Sequence, residues 1–116
     1  MMQDAPPIDI RHDHLEIVQG ILRRLVPGRE VWAFGSRVKG TARKHSDLDL
    51  CILGAQPLGL TTLGLLEEAF EESDLPWKVD VVDWATTSEA FREVIAQRHV
   101  VVQEGASAHG YSAAAA

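Results

Sequence analysis

At 116 residues the chain has the length of one domain, taken here as a single unit over residues 1–116, and can bury a modest core without disulfides or a structural metal. Its 17 acidic and 11 basic residues leave a formal net charge of −6, which argues against nucleic-acid binding through a basic face but not against a nucleotide, whose phosphates a metal and a few local cations can offset. One cysteine, Cys51, excludes an internal disulfide framework; no apolar run is long enough to span a bilayer, and Met1 to Arg11 lacks a secretory apolar core, so no membrane contact and a cytoplasmic location are expected.

Met1 to Asp13, with Pro6-Pro7 and several charges, reads as a lead-in. A helix is predicted from about His14 to Val26, with Ile17, Ile21 and Leu25 on one face and Leu15, Val18 and Leu22 widening the stripe. Asp13 is its expected N-cap, with Glu16 as capping-box partner, and Pro27-Gly28 ends it. Glu30 to Phe34 reads as a strand buried on both faces. A polar, basic stretch follows from Gly35 to His45, with one helical turn starting at Ser36. Leu48 to Leu53 is the second predicted strand, and Thr61 to about Ser73 the second long helix. That helix sets Leu63, Leu66 and Phe70 against Glu67, Glu68, Glu71 and Glu72 on its solvent side.

Lys78 to Val82, or one residue further, is the third strand, and Ser88 caps a short helix reaching Gln97. Val100 to Val102 forms a last strand, and residues 105–116 are expected to be a flexible tail. Alternating helices and strands predict an α/β or α+β domain: a small mixed β-sheet with helices packed on it.

The chemistry concentrates between Gly35 and Leu50. Gly35 lets a backbone approach phosphate closely, and Ser36 offers a hydroxyl and the free N–H groups of a helical start. In Ser46-Asp47-Leu48-Asp49-Leu50 the two carboxylates are spaced i, i+2, so a strand presents both on one face and turns Leu48, Leu50 and Ile52 towards a core. Paired hard-oxygen ligands beside a phosphate-binding turn are what a magnesium-nucleotide site requires, and two-metal phosphoryl chemistry calls for a third carboxylate. In Lys78-Val79-Asp80-Val81-Val82-Asp83, parity favours Asp80, because Asp83 would share the core face of Val79 and Val81; a bulge would exchange them. Arg37, Lys39, Arg43 and Lys44 gather basic charge between turn and carboxylates, where one or two of them could reach a triphosphate.

These residues resemble the nucleotidyltransferase superfamily that includes DNA polymerase beta, and above all its minimal nucleotidyltransferases. The pattern stands here as Gly35-Ser36-Arg37-Val38-Lys39-Gly40, then Ser46-Asp47-Leu48-Asp49-Leu50, then Asp80, and the likeness runs from about His14 to Gly105. The resemblance implies a palm-like nucleotidyltransferase fold. Asp47, Asp49 and Asp80 would be catalytic and bind two Mg2+ ions. Gly35 and Ser36, with Arg37, Lys44 and Ser46, would hold the nucleotide, with ATP as substrate. It further implies transfer of a nucleoside monophosphate to a hydroxyl, with release of pyrophosphate. Minimal members pair with helical proteins of the higher-eukaryote-and-prokaryote nucleotide-binding (HEPN) type, as antitoxins that adenylylate the toxin. By that analogy the chain is expected to act on a HEPN-type protein partner. About 36 residues follow Asp80, too few for an acceptor domain, so the acceptor is expected on another chain of a homo- or hetero-oligomer. A binding module that neutralises its partner by occlusion, through an apolar strip around Trp77 and Trp84, is the competing expectation. A small-molecule nucleotidyltransferase of the antibiotic-modifying kind is the third.

His12 and His14 read as solvated residues; His45, just before Ser46-Asp47, could contact phosphate or base but reads more simply as exposed, and Ser46 could orient Asp47 by a hydrogen bond or simply start the strand. Trp32, Trp77 and Trp84 read as packing residues, and Tyr111 as a weak modification candidate.

Overall fold

The computed structural model describes residues 8–105; the expectations for the first seven residues, the tail after Gly105 and Tyr111 lie outside them. In chain order the elements are α1 (His12–Leu25), β1 (Val31–Phe34), α2 (Ser36–Lys39), β2 (Leu48–Ile52), α3 (Leu60–Glu71) and β3 (Val79–Asp83). A 3-10 turn (Trp84–Thr86), α4 (Glu89–Gln97) and β4 (Val100–Gln103) complete the order. The sheet runs β3-β2-β1-β4. β1 lies antiparallel to β2 and β4, and β2 lies parallel to β3, so the sheet is mixed as expected.

Strand parity sorts the side chains onto two unequal faces. Val31 and Ala33 of β1, Leu48, Leu50 and Ile52 of β2, and Val79 and Val81 of β3 belong to the larger core with Val18, Ile21 and Leu22 of α1 and Leu66 and Phe70 of α3. Trp32, Phe34, Cys51 and Val82 point the other way, into a smaller cluster around Ile95 of α4 with Leu53 and Trp84. Apolar residues on both faces make β1 a central strand. Leu48, Leu50 and Ile52 are fully buried, and each contributes about 1.5–3 kcal/mol by burial. A one-residue slip of β2 would move all three to the smaller α4 face and drive Asp49 into the larger core, so the same apolar residues that hold the sheet fix the orientation of the carboxylates.

Two local expectations are corrected. α1 begins at His12 with Arg11 as N-cap, and no side chain caps it. Asp13 is not the cap: it sits in the first helical turn, where its carboxylate accepts both a 3.1 Å and a 2.9 Å bond from the Arg11 guanidinium and still complements the helix dipole. His12 pairs with Glu16 one turn on, and the box partner expected for Asp13 is taken up that way. Nor do Trp77 and Trp84 form an exposed strip. Trp77 packs edge-on to His14, and Trp84 edge-on to Trp32. Among the described residues the exposed large apolar side chains are instead Leu60, Leu65, Phe91, Val94 and Val101. Ser88 caps α4 as expected, accepting from the Phe91 amide. No helix of the described residues is long and apolar enough to cross a membrane.

Candidate active site

β1 ends at Phe34, which is paired with Asp49 of β2. The chain then turns at Gly35, whose φ of 84° lies in the region that side chains other than glycine's avoid. A Cβ at this position would collide with the Asp49 carboxylate, whose Cγ would lie 3.1 Å away. Gly35 is thus required twice, by its conformation and by the Asp49 side chain resting against it.

The turn continues into α2, closed by Gly40 in the left-handed conformation with its N–H on the Ser36 carbonyl. Val38 and Lys39 donate their amides to the Gly35 carbonyl, at 3.0 Å each. The amides of Ser36 and Arg37, at the start of the turn, have no acceptor inside it. They supply the N–H groups that phosphate oxygens need, beside the Ser36 hydroxyl.

Asp49 and Asp80 are register partners across the parallel β2–β3 pair. Asp49 is half-buried, Asp80 exposed, and Asp47 half-buried just before the first residue of β2. Along this face of β2, Cys51 is fully buried under the α4 cluster, Asp49 sits at its margin, and Asp47 lies beyond it. Loss of water around Asp49 raises its pKa from 3.8 to about 6, and the negative charges of Asp80 and Asp47 push the same way while Lys39 opposes them. The charges of Asp80 and Asp47 therefore reach Asp49 through space at the foot of the Gly35-Ser36 turn.

Among the described residues no three His, Cys, Asp or Glu side chains converge closely enough to hold an ion as they stand. The negative charges of Asp80 and Asp47 add to the loss of hydration that raises the Asp49 pKa. The donor set is all hard oxygen and carries surplus negative charge, which fits a divalent cation such as magnesium.

Asp83 has another task. It is buried, with one carboxylate oxygen accepting from the Leu58 amide at 2.9 Å and the other from the Ala85 amide at 3.2 Å. It caps the turn after β3 and stays away from Asp49, in register with Ile52.

The basic residues divide differently from expectation. Arg37 is not free to reach a triphosphate: it is only 6% exposed, and its guanidinium donates to the carbonyls of Asp9, Arg43, Lys44 and Ser46. Ser46 does not orient the Asp47 carboxylate through a hydrogen bond; its hydroxyl accepts from the Arg43 amide at 2.8 Å and closes the loop. Lys44 lines a cleft of about 430 Å³ with His14, Arg37, His45 and Trp77, which none of the three carboxylates, Gly35 or Ser36 borders. The cation that acts on Asp49 is Lys39. A signal for this was present in the sequence: in a single helical turn Lys39 is i+3 from Ser36 and shares its face, whereas Arg37 points about 100° away.

The mixed sheet, the Gly-Ser turn and the in-register carboxylates define a nucleotidyltransferase. The nucleotidyltransferase domain model matches residues 15–104, and the chain belongs to that family. It is 59% identical over 103 residues to the probable protein adenylyltransferase MntA of Haemophilus influenzae, covering 89% of this chain and 90% of the relative. Its fold is similar to that of a chain in the crystal structure of a toxin-antitoxin with AMP-PNP (TM-score 0.68, 23% identity, 80% of this chain and 75% of the other). It is also similar to a chain in the structure of a tri-AMPylated Shewanella oneidensis HEPN toxin in complex with an MNT antitoxin (TM-score 0.57, 18% identity, 84% and 77%).

Proposed function

We propose that the chain is a magnesium-dependent protein adenylyltransferase that moves AMP from ATP to a hydroxyl of a HEPN-type partner, as the antitoxin of a cytoplasmic pair. The observation that carries this reading is the pairing of Asp49 with Asp80 beside Gly35-Ser36, with Asp47 close enough to raise the Asp49 pKa. The identity to a relative named as a probable protein adenylyltransferase supports the reaction. The Shewanella oneidensis complex, whose toxin is AMPylated, supports the partner by analogy.

In this reading the amides that open α2 and the Ser36 hydroxyl hold phosphate oxygens of ATP. Gly35 keeps that contact close, because any side chain there would displace Asp49. Asp47, Asp49 and Asp80 would hold the magnesium. When bound, that metal offsets phosphate charge and polarises the reacting oxygens. The acceptor hydroxyl forms a new bond to the α-phosphorus and gives up its proton to solvent, the bond from that phosphorus to the β-phosphate oxygen breaks, and pyrophosphate leaves. Asp80, exposed at the edge strand, stands on the side from which an acceptor on another chain can approach. Lys39 lies on the α2 face that carries Ser36, where it can meet phosphate charge.

The test is incubation of the chain with its HEPN-type partner, magnesium and ATP labelled at either the α- or the γ-phosphate. Label should pass to the partner from α-labelled ATP only, and Asp47→Asn with Asp49→Asn should abolish it. Transfer that survives the double substitution would remove the carboxylates from the mechanism.

A further inference from the structure

Asp47 lies outside the β2 ladder, which starts at Leu48, so strand pairing alone does not place it. On its C-terminal side it is anchored by the Leu48 amide, which donates to the Lys78 carbonyl at 2.9 Å. On its N-terminal side the anchor is Arg37. Nε and one Nη of Arg37 both donate to the Ser46 carbonyl, at 3.0 and 2.8 Å. That carbonyl belongs to the same planar peptide unit as the Asp47 nitrogen, so gripping it fixes the plane from which the Asp47 side chain departs.

The grip is itself held on all sides. The other Nη donates to the Asp9 carbonyl at 2.8 Å, and the Asp9 amide returns a 2.7 Å bond to the Arg37 carbonyl. Weaker bonds reach the carbonyls of Lys44 at 3.3 Å and Arg43 at 3.4 Å. The guanidinium carbon lies 4.7 Å from the centre of the Trp77 ring. Among the described residues no carboxylate pairs with Arg37. A buried guanidinium satisfied by carbonyls alone is costly to desolvate, and an apolar side chain could fill the same space more cheaply. What only the fork of an arginine provides is a two-pronged hold on one carbonyl, together with positive charge at the peptide that leads into Asp47.

We propose that Arg37 is a positioning residue for the metal-holding carboxylate Asp47, acting through the Ser46–Asp47 peptide and not through contact with the nucleotide. The proposal rests on the functional reading above, and its test separates the two. Mn2+ binding to the purified chain is measured directly, by the loss of the free-ion electron paramagnetic resonance signal, for the unaltered chain, Arg37→Lys, Ser46→Ala and Asp47→Asn. Affinity for ATP is measured in parallel without divalent cation, and circular dichroism confirms folding.

Arg37→Lys should weaken Mn2+ binding about tenfold, the range seen when support behind a metal ligand is removed, and leave metal-free ATP affinity within about twofold. Ser46→Ala, which releases the Arg43 amide from the same loop, should shift Mn2+ affinity in the same direction by less. It carries the test alone if Arg37→Lys does not fold. A folded Arg37→Lys with unchanged Mn2+ affinity would overturn the proposal, as would unchanged affinity in Ser46→Ala where that variant stands alone. A metal-free ATP affinity that falls as far as Mn2+ affinity would also overturn it, since Arg37 would then be a phosphate ligand. If Asp47→Asn leaves Mn2+ binding and transfer intact, the functional reading itself fails; if Asp47→Asn loses both and Arg37→Lys loses neither, only the role of Arg37 falls.

Discussion

Replacing Asp49 with asparagine should stabilise the metal-free protein while destroying its activity. The folded state holds the Asp49 carboxyl at a pKa of about 6 against an ordinary 3.8, first through lost hydration and then through Asp80 and Asp47. Between those values the folded protein keeps a proton that the unfolded chain has already released. Stability therefore falls as pH rises through that window and stays lower above it. Taken at face value the difference amounts to about 3 kcal/mol. Asp49 is half-exposed and solvent screens its neighbours, so about 1–1.5 kcal/mol is the expected size. Urea unfolding in EDTA at pH 8 should show Asp49→Asn more stable than the parent by that amount, and the advantage should largely vanish at pH 3, where the carboxyl is mostly protonated in both states. Millimolar magnesium should stabilise the parent more than the variant. A variant no more stable than the parent at pH 8, or one whose advantage is the same at both pH values, would refute the electrostatic account of this site.

Gly35→Ala should lose transfer activity and about 1–2 kcal/mol of stability, because φ is 84° and the new Cβ meets the Asp49 carboxylate; a denaturation curve and the label-transfer assay check both. Asp80 and Asp83 should separate cleanly: Asp80→Asn should abolish transfer with little change in stability. Asp83→Ala, which orphans the Leu58 and Ala85 amides, should cost about 1–3 kcal/mol in urea unfolding. Burial, reinforced by the Asp83 charge, pushes the Cys51 thiol up to about 12, so a thiol reagent at pH 8 should leave it untouched until the protein is unfolded.

The sheet was largely legible in the sequence because strand parity is a local, binary signal. The alternation of Leu48, Leu50 and Ile52 with Asp49 and Cys51 gave the inward and outward faces of β2, and the same count along β3 selected Asp80 over Asp83. Ser88 was legible as a cap because a short polar side chain before an apolar-periodic run has few other roles. Arg37 was not, because composition reports that a cation is present but not where a long side chain ends. Only the three-dimensional path of the chain shows three loop carbonyls and that of Asp9 closing around it. The start of α1 is hard to read for a related reason: the exposed Arg11–Asp13 and His12–Glu16 pairs replace the expected cap, and propensity does not rank such alternatives.

The order of the sheet also bears on how the protein matures. Asp49 is brought next to Gly35 by the antiparallel strand that follows β1 in the chain, a contact between consecutive strands. Asp80 stands on a parallel strand reached only after α3, across a longer stretch of chain whose closure costs more entropy. Metal binding by all three carboxylates therefore depends on the whole β1-β2-β3 arrangement, so it reports closure of the longer connection through α3 and not the β1–β2 pair alone.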